Sequence, residues 1–465
     1  MENLFGEKRT LLPIEPAVTC HYTLHWLSLA EHTSHPMHNP GSMNKENEKP
    51  ILIVGAGMAG LSCAVHLHQA GLKVCIFEAD ESVGGRVKTD EVDGFLLDRG
   101  FQVYLDAYPE TGKLLDLKAL DLRSFKFGAM VYRGGKFYRL MDVFRYPGSL
   151  WSSVTAPVGS FMDKLRVGVL RTKLQLSSLG KIAAREDQST EAYLKASGFS
   201  DSMIDSFFRS FYGGIFLERE LHTSSRMFEF TFKMFSRGRA TLPAKGMGEI
   251  PRQLMAQLLS DSVRLNTLVV NVEPQSVVLE NGERVQGSAV VVATDVSAVG
   301  KLFPDLKKME PKWRSVTTLY FAAEASPMNE AIICLNGSGT GQVNSVSVLS
   351  DLVPTYAPPE KALISVVVLG LPVEDMLEMN VREELISWFG PVVNTWQHLR
   401  TDRIERALPE QLPNSGRNNR SEQFFKHKDV WICGDHASSG SIEGAVISGK
   451  QVAESIVKLH NPKSV

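Results

Sequence analysis

The sequence is poor in cysteine, in long apolar runs and in charge of one sign, and each shortage removes a class of protein. Its 465 residues hold five cysteines, Cys20, Cys63, Cys75, Cys334 and Cys433, an odd number, widely spaced and without a CxxC pair. That usage points to a reducing compartment and gives no zinc motif. No uninterrupted apolar run reaches the roughly 20 residues of a membrane span. The longest candidate, around residues 51–70, is broken by glycines and by His66 and His68. A formal net charge of -2 offers no electrostatic case for nucleic acid. Hydrophobic residues at 43% and charged residues at 22% are ordinary for a globular chain, and the length suits two domains sharing a large core.

What the chain does hold is a strand-turn-helix pattern over residues 51–86, ILIVGAGMAGLSCAVHLHQAGLKVCIFEADESVGGR. Ile51 to Val54 have the length and composition of a buried parallel strand. Gly55, Gly57 and Gly60 follow at GxGxxG spacing, with Ala56, Met58 and Ala59 between them. Gly55 permits a sharp turn, Gly57 lets the backbone approach a pyrophosphate, and Gly60 lets the helix lie against the strand, so that its first amides face the phosphates. A second strand, Lys73 to Phe77, ends in Glu78 and Ala79. An acid roughly 20 residues on is placed to accept hydrogen bonds from adenosine ribose hydroxyls. GxGxxG alone marks many ordinary turns; strand, helix and acid together predict a bound dinucleotide.

Gly84, Gly85 and Arg86 continue the unit, and here the sequence resembles the FAD-containing amine oxidase and phytoene desaturase superfamily, in which a GGR-type segment follows the ribose acid. A second motif at the far end carries the same resemblance. Val430 to Cys433 reads as a core strand, Gly434 and Asp435 follow, and SIEGAVISG spans residues 441–449. Apolar or small residues at 442, 445, 446, 449, 452, 453, 456 and 457 keep a helical period, and Ser441 suits an N-cap. The resemblance implies an α/β fold, with non-covalent FAD in a discontinuous Rossmann-like domain and an inserted α+β substrate domain. It also implies that Gly85 and Arg86 lie near the phosphates, that Val269 clasps the adenine through its main chain and that Asp435 bonds the ribityl chain. The N–H of Ile442, next to Ser441, would face the pyrimidine edge of the flavin, where a helix N-terminus favours the charge of the reduced ring.

Between these motifs the chain divides by pattern. Residues 1–48, rich in histidine and without a steady period, read as a disordered tail. Glu2, Glu7 and Glu15 argue against a transit peptide, so an intracellular chain is expected, cytoplasmic in preference to plastid or another organelle. The cofactor domain is expected over 49–110, 245–301 and 426–465, with the substrate domain over 111–244 and 302–425. Asp98 either packs against the cofactor, as the resemblance implies for the segment DRGFQVYLDAYPE, or caps a turn. Phe144, Tyr146, Trp151 and Phe161 read as core rather than as an entrance or membrane surface. The segments FFRSFYGGIFL (207–217) and TSSRMFEFTFKMF (223–235) suggest the floor of an apolar cavity, where Arg209 and Arg226 either orient a substrate carboxylate or, the preferred reading, pair with neighbouring acids. LPAKGMGEIPRQL (242–254) marks the return to the cofactor domain, and Leu377, Val381 and Leu385 mark a helix packed on one face.

These features predict hydride transfer from a C–H bond of a small apolar substrate, of which an isoprenoid is one example, to the flavin, with oxygen or a quinone as final electron acceptor. Amine oxidases of the superfamily commonly carry an aromatic residue where this chain has Ser441, and some attach the flavin through a cysteine upstream. No cysteine lies between Cys334 and Cys433. Both departures favour a desaturase-like enzyme over an amine oxidase. Two further readings compete with it from different classes: a redox-neutral isomerase using reduced FAD, and a flavin-binding protein without catalysis. Lys301 is the one catalytic candidate, by its spacing after the strand Ala289 to Ala293, with an exposed lysine as the competing reading. No metal and no nucleic acid is expected, and peripheral membrane contact is left open.

Overall fold

Two sheets organise the chain, and the first is built from its most apolar short runs. A computed structural model describes residues 49–414 and 426–460; the tail over 1–48, with Cys20, lies outside them. Ile51–Val54 is wholly buried and pairs in parallel with Val74–Phe77 on one side and Ala289–Val292 on the other. The sheet extends to Val263–Arg264 beyond Val74–Phe77 and to Val430–Ile432 beyond Ala289–Val292, both parallel, and ends with Lys426–His427, antiparallel. Continuous apolar runs suit strands covered on both faces, as these are. Three distant segments thus share one sheet: the first motif, the middle of the chain and its last strand.

The second sheet has seven strands in the order Gln397–Pro409, Trp313–Ala323, Ala362–Leu369, Val343–Val348, Ile333–Asn336, Gly128–Arg133 and Lys136–Met141. All of its pairs are antiparallel except Ile333–Asn336 with Gly128–Arg133. Leu377, Val381 and Leu385 bury one face of the helix Leu377–Phe389 against it, as their four-residue spacing predicts. The fold is therefore a Rossmann-like sheet with an α+β domain inserted through it, and the described residues pack as one unit.

Asp98 joins the pieces. It ends the strand Phe95–Asp98, is buried, and accepts hydrogen bonds from Thr89 Oγ1 (2.5 Å), Met247 N–H (2.9 Å) and Tyr356 O–H (2.9 Å). Its main-chain oxygen accepts from Tyr320 of the second sheet at 2.7 Å. The carboxylate does more than cap a turn: it holds the glycine-methionine-glycine return against the strand pair that follows the GGR segment. Burial pushes its carboxyl up to about 6, against the pull of the bonds from Thr89, Met247 and Tyr356. A raised carboxyl holds its proton more tightly in the folded chain. Its contribution to stability is fully present below the ordinary value of 3.8 and is lost as pH rises through about 6. At 1.36 kcal/mol per unit that loss is about 3 kcal/mol. Urea unfolding of wild type and Asp98→Asn should show the stability difference moving by about this amount between about pH 4 and pH 7, with wild type relatively stronger in acid. A difference that does not change with pH would contradict the assignment.

The aromatic segment after residue 141 departs from its sequence reading. Phe144, Trp151 and Phe161 are exposed and Tyr146 is partly so, instead of forming core. The helix Phe161–Leu176 explains the error. Its inward face is filled by Leu170 and Leu174, which join Phe199, Met203 and Ile204 in a buried cluster with Val167 at its margin, so Phe161, Met162, Leu165, Val169 and Leu176 are left outside. Among the described residues no helix is long and apolar enough to cross a membrane.

Candidate active site

Both ends of the described chain come together at the carboxyl ends of the first sheet, and local sequence explains each half. Gly55 to Gly57 link Ile51–Val54 to the helix Met58–Gln69, which opens with Met58, Ala59 and Gly60. A Cβ on Gly60 would stand 2.0 Å from the oxygen of Gly55, so only glycine lets helix and strand approach this closely. Gly57 is different. A Cβ there would meet nothing within 4 Å, no side chain caps the helix start, and no acid stands in its first turn. Free amides beside open space form an anion site, with the helix dipole adding to it.

Glu78 and Ala79 follow Val74–Phe77. The Glu78 carboxylate accepts from Ala56 N–H at 2.7 Å and from Asp80 N–H at 3.0 Å, which fixes it at the edge of the glycine turn. The main-chain oxygen of Glu78 accepts from Thr267 N–H (2.7 Å), bringing the start of Val269–Glu273 alongside. Val269 itself packs in the cluster of Leu52, Val54 and Phe77. Gly84 bridges to Gly57, and its N–H reaches the oxygen of Ala56 at 2.9 Å, so the GGR segment lies directly over the glycine turn. Gly85 is exposed there, beside Arg86.

Arg86 connects the halves. Its guanidinium lies 2.8 Å from the carboxylate of Asp435, donates to the oxygen of Ala407 at 3.0 Å, and sits 5.6 Å from the centre of the Trp313 ring. Asp435 follows Gly434 at the end of Val430–Ile432 and is buried. Two residues read separately as cofactor contacts are thus each other's partner, an arrangement that their separation in sequence conceals.

The closing helix, Ile442–His460, begins as the sequence predicts. Ser441 Oγ accepts from Gly444 N–H at 2.9 Å, and the Ser441 oxygen accepts from Ala445 N–H at 3.0 Å, leaving Ile442 as the first helical residue. Glu443, one residue on and fully buried, accepts from the N–H groups of Glu110 (2.8 Å) and Thr111 (2.9 Å) and from Thr111 Oγ1 (2.5 Å). That buried carboxylate ties the helix start to the chain leaving the first sheet; sequence reasoning missed it because its donors lie more than 330 residues away. The helix packs on Met58–Gln69 through Gly449, whose Cβ would fall 2.2 Å from the oxygen of Ala59, and through Ser62 Oγ donating to the oxygen of Val446 at 2.9 Å.

Lys301 lies exposed in the last turn of the helix Val296–Leu302. Arg209 pairs with Asp205 and Glu191 (both 2.7 Å), as expected, whereas Arg226 donates from Nε to the main-chain oxygen of Arg185 at 2.7 Å instead of to an acid. The helix Ser225–Arg237 buries Glu229 and Lys233 beside Phe228 and Met234. Glu229 is buried against Arg185 and the Tyr193 hydroxyl, and Lys233 donates to the oxygens of Leu174, Gln175 and Ser177 at the end of Phe161–Leu176. Met227, Phe230 and Phe235 are partly exposed, and Phe211, stacked on Phe207, lies beside Phe235 at the margin of the core cluster. This group adjoins the closing motif by two routes. Phe230 stacks on Tyr108, two residues before Glu110, and Gln411 accepts from Ser224 N–H (2.8 Å) while also accepting from Gly440 N–H (2.9 Å).

An uncapped helix start, a carboxylate fixed 22 residues beyond the turn, and a second helix start on the same sheet fit the phosphates, ribose and ring of a dinucleotide. Comparison with known proteins agrees. The family model for flavin containing amine oxidoreductase matches residues 58–457. The chain is 22% identical over 460 residues to 15-cis-phytoene desaturase of Arabidopsis thaliana, covering 88% of this chain and 80% of that one. Its fold is similar to that of putrescine oxidase solved with putrescine bound (TM-score 0.65, 17% identity, 88% and 99% coverage) and of an oxidoreductase from Methanosarcina mazei (TM-score 0.66, 17% identity, 87% and 100% coverage). With most of its length inside that match, and with a split site shaped for the cofactor, the chain belongs to the flavin containing amine oxidoreductase family and is an FAD-dependent oxidoreductase.

Proposed function

We propose that this enzyme oxidises a small apolar substrate at a C–H bond, in the manner of a desaturase, with the substrate's hydride delivered to FAD. The observation that carries this reading is the group of partly exposed phenylalanines, Phe230 and Phe235 of Ser225–Arg237 with Phe207 and Phe211, tied by Tyr108 and Gln411 to the closing motif. A partly exposed aromatic surface gives an apolar molecule somewhere to leave water for, at about 25 cal/mol per Å². Ser441 supports the choice over an amine substrate, because its hydroxyl is used as a helix cap and offers no aromatic wall for a cationic amine.

In this reading Gly55 to Gly57, with the amides of Met58, Ala59 and Gly60, hold the pyrophosphate, and Glu78 with Ala79 holds the adenosine ribose. Gly85 and Arg86 close over the phosphates, and Val269 lines the adenine. Gly434 and Asp435 hold the ribityl chain, and the amide of Ile442, set by Ser441, faces the pyrimidine edge. Arg86 neutralises Asp435 and so keeps a buried carboxylate near the phosphates from repelling them. When bound, FAD supplies a two-electron acceptor that returns its electrons to oxygen or a quinone. The protein's own work is to fix the distance between substrate and ring and to keep water out.

The test is an anaerobic screen of the FAD-loaded protein, following loss of flavin absorbance. Bleaching by an apolar hydrocarbon with adjacent C–H bonds, and none by primary or secondary amines, is expected. Bleaching by amines alone would overturn the reading, as would substrate conversion that requires prereduced flavin and yields no net oxidation.

A further inference from the structure

The helix Phe161–Leu176 carries apolar side chains on two faces. Leu170 and Leu174 are buried in the core, yet Met162, Leu165, Val169 and Leu176 recur at three-, four- and seven-residue spacing on the opposite side, and Val169 and Leu176 are 68% and 82% exposed. Phe161 adds to the stripe from the first turn, and Trp151, 79% exposed on the neighbouring helix Leu150–Thr155, lies in the same chain segment. Single exposed apolar residues are ordinary, but a stripe along a 16-residue helix, about 24 Å long, is not.

The charges of the segment indicate what covers the stripe. Between residues 141 and 183 six cations, Arg145, Lys164, Arg166, Arg171, Lys173 and Lys181, stand against two acids, Asp142 and Asp163, a net of +4 in a chain whose net charge is -2. Both acids and four of the cations are directed to the protein; Lys164 donates to the oxygens of Val154 and Ala156, and Arg166 faces Asp163. Asp163 is fully buried, accepting from Ser160 and Ser200, and Asp142 pairs with Arg145 and Arg171. Lys173 and Lys181, at the helix end and just past it, are exposed. An exposed apolar stripe ending in two exposed lysines, in a segment that also exposes a tryptophan, is the composition of a helix lying in the plane of an anionic bilayer surface.

We infer that this face is a lipid-docking surface. Phe161–Leu176 lies along the interface with Met162, Leu165, Val169 and Leu176 among the acyl chains near the headgroups, Trp151 anchors beside it, and Lys173 and Lys181 meet anionic headgroups. The inference is independent of the proposed reaction, since its readout is vesicle binding and not turnover.

The test is flotation of the full-length, FAD-loaded protein with vesicles of phosphatidylcholine, alone or mixed with phosphatidylglycerol. Binding to the mixed vesicles, weakened severalfold by high salt, is expected. The double variant V169S/L176S should bind about tenfold less or lower still, given the apolar area it removes, and K173E/K181E should lose the preference for phosphatidylglycerol. These side chains are exposed, so both variants should stay yellow and melt as wild type does. Wild type that does not float, or a V169S/L176S variant that floats as well as wild type, would overturn the inference. So would a protein that ignores vesicles but sediments as a dimer split by the same double substitution, because the stripe would then be a contact between two copies of this chain.

Discussion

Replacing Gly57 by valine is expected to give a protein that folds normally and is colourless. The position has extended backbone, φ -71° and ψ 178°, which valine adopts readily, and an added Cβ meets nothing within 4 Å. The protein therefore accepts the side chain, and the pyrophosphate does not, because the valine fills the space through which phosphate would reach the first amides of the helix. Losing two charge-assisted hydrogen bonds at about 1.5 kcal/mol each amounts to about a hundredfold in FAD affinity. Equilibrium titration with FAD, alongside a urea unfolding curve, separates the two properties. A folded Gly57→Val protein that remains yellow would place the phosphates elsewhere.

Gly449→Ala should do the reverse, damaging the fold before the chemistry. The new Cβ would lie 2.2 Å from the oxygen of Ala59 and 2.9 Å from the nitrogen of Cys63, both backbone atoms that no side-chain rotation can move. The first and last helices must then separate, at a cost of about 3 kcal/mol, the upper part of the range for overpacking. Because those helices carry the two halves of the cofactor site, FAD affinity should fall with stability. Gly180→Ala is the control, since its Cβ meets nothing within 4 Å and the position lies in the short helix Leu179–Ala183. It should be neutral or stabilising by about 0.5–1 kcal/mol. Equal urea midpoints for the two variants would show that the closing helix does not need its close approach.

The parts legible in the sequence were those whose geometry is local. Ile51–Val54 and the helix after it follow from four apolar residues and three spaced glycines, and the start of the closing helix follows from Ser441 and the period after it. What was not legible depends on partners far along the chain. Asp98 gains its role from Met247 and Tyr356, 149 and 258 residues away, and Glu443 from Glu110 and Thr111. Arg86 and Asp435 could each be tied to the cofactor by resemblance, but nothing local shows that they pair. The aromatic segment misled for a different reason. Irregular aromatic spacing does not say which face is inside, and only Leu170 and Leu174, four apart and inward, force Met162, Leu165 and Val169 outward. A helix with apolar residues on opposite faces was the signal available: one of the two faces must meet something other than its own core. In Ser225–Arg237 Glu229 and Lys233 find their partners on the elements around residues 174–193 and share the buried side with Phe228, while Phe230 and Phe235 stay partly exposed.

In the proposed site, residues 51–86 and 430–449 together hold one FAD. The most direct measurement is the absorbance spectrum of the purified full-length protein after incubation with FAD and removal of the excess, with protein concentration determined independently. One FAD per chain, with the two visible bands of oxidised flavin, is expected. A folded protein that stays colourless after reconstitution would contradict it.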